Sequence, residues 1–320
     1  MHSPRLTADD CPVRIDILLA TRNGAAYLDR QIESILAQWL PGCRLLVRDD
    51  GSTDGTVELL DRYVRHSGRA MRRIQDDDGR LGPCGNFARL LACSDADYVV
   101  LCDQDNVWLP GRISAPLARI QTLEQRLGRD APILVHTDMA VADAALRPIA
   151  PSFWAYGGLD PASCTTLNRL LVQNVVAGCA ATLNGALVRL ARPIPQGALM
   201  HDWWLALVAA AFGTLDWLAQ PTVIYRQHAG NAVGIRGMDW AYLRDKAAHC
   251  LGGDAMRGTD GQAAALLGQF EQRLPPRQRD LLEAYAGLKR CGFWQRRRKI
   301  ARYRFLGCGW LRNLAWLATV

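Results

Sequence analysis

Short apolar runs alternate with helical stripes through the first hundred residues. Val13, Ile15 and Ile17 alternate with Arg14 and Asp16, and Leu18 and Leu19 then lead into Ala20, Thr21, Arg22, Asn23 and Gly24. A second run, Leu45, Leu46 and Val47, ends in Arg48, Asp49, Asp50, Gly51 and Ser52; a third, 98–102, ends in Asp103, Gln104 and Asp105. Continuous apolar runs of this length predict strands buried on both faces. Between them, Leu28, Ile32, Ile35, Leu36 and Trp39 make a helical stripe, Val57, Leu60, Tyr63 and Val64 a second, and Phe87, Leu90 and Leu91 a third. Strand and helix in alternation predict βαβ units, hence an α/β fold on a mainly parallel sheet flanked by helices.

Beyond residue 130 the pattern loosens. Ile133, Leu134 and Val135 predict a further strand, and 167–190 is mostly apolar with breaks at Gly178 and Gly185. His201, Asp202, Trp203 and Trp204 open an apolar helix over 205–212, and Val223, Ile224 and Tyr225 run into Arg226, Gln227 and His228. After Arg236 the chain turns to Ala, Gly, Arg and Gln at helical spacing. The expected division is therefore an N-terminal extension at 1–12, an α/β domain at 13–235 and a helical C-terminal region at 236–320. No repeat or low-complexity tract interrupts it.

Composition narrows the class. Of 320 residues 49% are hydrophobic and 22% charged, which excludes disordered and collagen-like chains. No uncharged apolar stretch reaches about 18 residues, and the first eleven residues have no apolar segment of the secretory kind. The ten cysteines include no C-x-x-C pair, so neither a zinc site nor a disulfide framework is expected, and a reducing cytoplasm fits best. The net charge of +7 is local. Nine of the 38 basic residues lie in 285–320, where no Asp or Glu stands; the other 29 face 31 acids. A near-neutral body with a basic tail argues against a nucleic-acid-coating protein and for an anionic partner at the C-terminus.

The polar residues gather at strand ends. In open α/β sheets the carboxyl edge of the strands is the ligand crevice, and Thr21, Asp49, Asp50, Asp103 and Asp105 all fall there. Neither G-x-G-x-x-G after the first strand nor G-x-x-x-x-G-K-[ST] is present. Asp103 and Asp105, one residue apart, suit a hard divalent cation shared with substrate phosphates. Each feature also has a plain structural reading. Asp103 and Asp105 could be solvated turn acids, 49–56 a strand-to-helix turn, Asp202 a helix-start acid and His228 a turn residue.

Taken together, these residues resemble glycosyltransferase family 2, the inverting enzymes of the GT-A fold, and within it bacterial rhamnosyltransferases of cell-surface polysaccharide synthesis. The resemblance rests on Leu19 to Gly24, Asp49 to Thr56, Gly82-Pro83 with Asn86-Phe87, Asp103 to Trp108, Asn174 with Gly178-Cys179, His201 to Trp204, and Tyr225 to His228. It implies a GT-A nucleotide-binding sheet with a helical C-terminal extension. It also implies that Ala20, Thr21, Arg22, Asp50, Asn86 and Asp103 bind a nucleotide-sugar, and that Asp105 and His228 hold Mn²⁺ or Mg²⁺. Asp202 takes the position of the catalytic base, with Trp203 and Trp204 toward the acceptor. The expected reaction moves a sugar, L-rhamnose from dTDP-L-rhamnose, onto a saccharide or lipid-linked acceptor. The chain departs from the family pattern at Arg22, where an aromatic residue is usual, at Asn106, where a third acid is usual, and at Ala229.

The tail adds a second theme. Arg296, Arg297, Arg298, Lys299, Arg302 and Arg304 are interleaved with Phe293, Trp294, Tyr303 and Phe305, and Trp310, Leu311, Leu314, Leu317 and Ala318 follow at helical spacing. Two readings stand: a helix packed on the catalytic domain, or an interfacial helix on anionic lipid. A lipid-linked acceptor favours the second and places the protein on the inner face of the cell membrane. The competing classes are a nucleic-acid binder using the basic aromatic tail and an inactive transferase-like adaptor.

Overall fold

The computed structural model describes residues 13–67, 70–228, 230, 256 and 258–320. The expected extension at 1–12 and the expected boundary at 235/236 lie outside the described residues.

The N-terminal half alternates β1 (Ile15–Thr21), α1 (Ala25–Leu36), β2 (Cys43–Asp49), α2 (Thr56–Ser67), β3 (Met71–Ile74), α3 (Gly82–Ala92) and β4 (Tyr98–Asp103). β1 lies between β2 and β4, parallel to both, and β3 extends the sheet beyond β2. Next come β5 (Val107–Trp108), α4 (Ser114–Leu127), β6 (Ile133–Ala142), β7 (Pro148–Ala150), α5 (Phe153–Tyr156), α6 (Leu167–Leu170), β8 (Ala181–Asn184), α7 (Gly185–Ala191), α8 (His201–Phe212) and β9 (Thr214–Arg226). The strand order is β3-β2-β1-β4-β8-β6-β9-β5, with β7 on β6. β8 runs antiparallel to both β4 and β6, while β6 and β9 are parallel.

Alternate strand residues feed two cores. Leu18, Leu46, Val99 and Leu101 face Phe87 and Leu90 of α3 and the apolar body of α8. Ile17, Leu19, Leu45, Val47 and Val100 face Leu28, Ile32 and Ile35 of α1. This two-sided burial is why the strands read as continuous apolar runs. The apolar segment 167–190 is not one element. Asn184 accepts a hydrogen bond from the Leu187 amide and so caps α7, and a Cβ on Gly185 would lie 2.9 Å from the Ala96 carbonyl. The cap and the missing side chain let β8 stop and α7 begin against the start of β4.

The C-terminal chain forms α9 (Thr259–Phe270), α10 (Pro276–Ala286), α11 (Phe293–Tyr303) and α12 (Trp310–Thr319). Phe270, Leu282, Tyr285, Ile300, Phe305, Trp316 and Val320 join the same core as α8, and Trp204 stacks on Phe270 with ring centroids 6.2 Å apart. One cysteine expectation is corrected. Cys164 and Cys308 pair as a disulfide across 144 residues, a partnership that local spacing cannot reveal. Among the described residues no helix is long and apolar enough to cross a membrane.

Candidate functional site

Strand register assembles the polar edge. Ala20 pairs with Asp103 and Thr21 with Asp49, so the carboxyl ends of β2, β1 and β4 stand in a row. The Thr21 hydroxyl donates to Asp49 (2.9 Å), whose other oxygen accepts from the Gly51 and Ser52 amides. Buried Asp50 accepts from the Leu81 amide (2.7 Å), the Gly82 amide (2.8 Å) and the Arg48 guanidinium (3.1 Å). Asn86 donates to the Thr21 and Arg48 carbonyls and accepts from Arg48. These contacts fasten the entry of α3 to the strand ends. A cleft of ≈ 290 Å³ opens beside them, lined by Arg48, Asp49, Gly51, Asp76, Gly79 and Arg80.

Gln104, between the two acids of β4's exit, joins this edge to the acids. Its carbonyl accepts from the Arg22 amide (2.7 Å) and its amide donates to the Arg22 carbonyl (2.8 Å). The Arg22 side chain is exposed while its backbone is pinned.

Three carboxylates converge. Burial raises the Asp103 pKa, and the charges of Asp105 and Asp202 raise it further. Burial also raises Asp105, opposed chiefly by its hydrogen bond with His228. Asp202 is pushed up to about 6 by desolvation, against hydrogen bonds from the Trp203 and Gly178 amides. Those amides lie 2.6 and 3.0 Å from its carboxylate, and the Asn174 side-chain amide donates to it at 3.4 Å. Acids crowded in one desolvated place favour a positive charge arriving among them.

His228 reaches Asp105 from the end of β9. Its Nδ1 accepts from the Gly230 amide (3.1 Å), so in the neutral ring Nε2 carries the proton and donates to Asp105 Oδ2 at 3.0 Å. Tyr27 of α1 stacks on the imidazole with centroids 4.7 Å apart. Arg226 donates to the Asp105 carbonyl (2.8 Å), and its guanidinium carbon lies 4.8 Å from the Tyr27 ring centre. In this tautomer Nε2 has no lone pair to offer, so His228 would join Asp105 in holding a cation only once the Nε2 proton moved to Nδ1 and the Gly230 amide turned away. Among the described residues no group of three His, Cys, Asp or Glu side chains is disposed to hold a metal. Any hard cation here would take its remaining ligands from substrate and water.

The structure thus joins His228 to Asp105 and sets Asp103 within electrostatic reach of both Asp105 and Asp202. Trp204 is a correction. It is wholly buried and its indole N–H donates to the Ala191 carbonyl (3.0 Å), so it is a core residue that no acceptor can reach. Trp203 is half-buried, its indole donating to the Leu170 carbonyl. Tyr27 and Gln104 are functional neighbours that the sequence pattern does not single out. Gln104 lay inside the acidic motif, whereas Tyr27 meets its partner some 200 residues away and left no local signal.

Residues 16–126 match the family model for glycosyl transferase family 2. The chain is 24% identical over 229 residues to dTDP-rhamnosyl transferase RfbG of Shigella flexneri, covering 68% of this chain and 73% of that one. In structure it is similar to S. aureus TarS in complex with UDP-GlcNAc, with a TM-score of 0.53, 16% identity and coverage of 91% and 90%. It is also similar to the mannosyltransferase PcManGT of Pyrobaculum calidifontis in complex with GDP-Man and Mn²⁺, with a TM-score of 0.52, 18% identity and coverage of 97% and 80%. The fold is GT-A. The chain carries a glycosyl transferase family 2 domain and is a glycosyltransferase.

Proposed function

We propose that this chain is an inverting glycosyltransferase moving L-rhamnose from dTDP-L-rhamnose onto a saccharide or lipid-linked acceptor in cell-surface polysaccharide synthesis. The observation that carries the reading is that Asp202, at the start of α8 and held by the Gly178 amide, comes within electrostatic reach of Asp103 at the end of β4. The likeness to RfbG supports the donor.

In this reading Ala20, Thr21 and Arg22 line the nucleotide with Asp50 and Asn86, whose internal hydrogen bonds hold that wall rigid. Asp103 faces the sugar-nucleotide. Asp105 and His228 hold Mn²⁺ or Mg²⁺, which when bound neutralises diphosphate charge as the leaving group departs. Asp202 accepts the acceptor hydroxyl's proton as its oxygen attacks the anomeric carbon from the face opposite the departing nucleoside diphosphate. Trp203 flanks the acceptor. Of the described residues, 13–228 belong to the catalytic unit and 258–320 to its helical extension.

The same reading places the protein on anionic lipid at the inner face of the cell membrane. α11 and α12 present Phe293, Trp294, Trp310 and Leu314 to solvent, with Trp294 76% and Trp310 70% exposed. Exposed Arg298, Arg302 and Arg304 accompany them.

The test is nucleotide release from dTDP-L-rhamnose, UDP-sugars and GDP-sugars, with and without Mn²⁺. Turnover of dTDP-L-rhamnose that needs the cation and vanishes in Asp105→Ala is expected. Full activity of that variant, or of wild type in excess chelator, would sink the metal assignment.

A further inference from the structure

The sheet forks beneath the acids. β4 and β8 are laddered through Tyr98 with Asn184, Val99 with Leu183 and Val100 with Thr182, and beyond Val100 the strands part. One arm runs through Leu101 to Asp103 and Asp105. The other runs back through Ala181 and Cys179 to Gly178, whose amide holds the Asp202 carboxylate.

The wholly buried Arg112 fills the wedge. Its Nη2 donates to the Leu101 carbonyl (3.1 Å) on one arm and to the Ala181 (2.9 Å) and Cys179 (3.0 Å) carbonyls on the other. Nε donates to the Cys179 carbonyl (3.2 Å) and Nη1 to the Thr182 hydroxyl (2.9 Å). The Trp108 ring lies beside the guanidinium, its centroid 5.3 Å away. Burial lowers its pKa only to about 10, so it is charged at neutral pH. Among the described residues no carboxylate pairs with it. A buried cation is costly, and hydrophobic residues in such places often give the more stable protein. Stability alone therefore does not call for arginine here. A planar fork of donors that can bridge two diverging backbones does.

We propose that Arg112 is a positioning residue that fixes the opening between the arm carrying Asp103 and Asp105 and the arm that holds Asp202. This rests on Asp202 being the base. Lysine keeps the charge but is a point donor that cannot span both arms, so Arg112→Lys separates charge from bridging.

The assay is nucleoside diphosphate release from the donor selected above, with water as acceptor. For folded Arg112→Lys, kcat should fall about tenfold or more while donor KM stays within about threefold. The acid limb of kcat should move to higher pH, because a weakened Gly178 amide bond stabilises the ionised Asp202 less. A lower melting temperature with unchanged kcat per folded molecule and an unmoved limb would overturn the proposal. Should that variant not fold, Arg112→Met fills the wedge without any donor, and wild-type kcat and limb in it would overturn the proposal equally. Asp202→Asn is run in parallel. If it retains turnover the base assignment fails; if it is inactive while Arg112→Lys is normal, only the bridge fails.

Discussion

At the scale of single residues, Asp202 combines a helix-start position with a raised pKa, and the two pull apart. A carboxylate in the first turn of α8 is favoured by the helix dipole, yet desolvation lifts this one to about 6. Below that pH it is increasingly protonated and cannot take a proton; above it the base is competent. Turnover should therefore rise with pH through about 6. Asp202→Asn keeps size and much of the hydrogen bonding while removing basicity. It should leave donor affinity nearly unchanged and lower kcat by roughly 10²–10⁴-fold. Near-wild-type turnover, measured beside donor titration on the same folded variant, would move the base elsewhere.

At the scale of elements, the contact between β1's exit and β4's exit couples the nucleotide wall to the acids. A Cβ on Gly24 would lie 2.2 Å from the Gln104 carbonyl oxygen, closer than any real contact. Gly24→Ala should displace Gln104, release the Arg22 backbone and weaken donor binding by about tenfold, roughly the worth of one or two hydrogen bonds, with the melting temperature nearly kept. Unchanged nucleotide affinity by calorimetry would show that the bridge does not shape the donor site. Elements of this half were legible because strands buried on both faces write unbroken apolar runs, as at Leu45 to Val47, and because the acids follow them directly. β8 was not, since its four residues sit inside a longer apolar segment whose cut is made by Asn184 and Gly185. Nor was the stacking of Tyr27 on His228, or the fork held by Arg112. The stack joins residues some 200 positions apart and Arg112 reaches from Leu101 to carbonyls as far as 69 positions on; periodicity carries no information at that range.

At the scale of the whole molecule, the two readings of the tail prove compatible. The inward side of α11 and α12 belongs to the core, through Ile300, Trp316 and Val320. The outward side of α12 shows Trp310, Leu314 and Ala318 at i, i+4 and i+8, an apolar stripe left facing water. The arginines divide the same way. Arg297 donates to the Leu317 and Val320 carbonyls, satisfying the end of α12, and Arg296 to the Leu288 and Cys291 carbonyls. The side chains of Arg298, Arg302 and Arg304 are exposed; only the backbone of Arg304 serves a helix end, capping α11. Binding to anionic lipid and folding should therefore respond to different residues. Replacing Arg298, Arg302 and Arg304 by Gln removes three cations worth about 1 kcal/mol each at an anionic surface, so partition onto phosphatidylglycerol-containing vesicles should weaken by about 100-fold. Trp294→Ser with Trp310→Ser should reduce binding as well, through lost interfacial burial, and both variants should keep the wild-type melting temperature and turnover of free donor. Arg297→Gln should do the reverse, lowering the melting temperature while the exposed cations remain. Flotation with vesicles, with phosphatidylcholine alone as control, reads all three. Equal flotation of wild type and the triple Gln variant would mean that this face meets something other than anionic lipid.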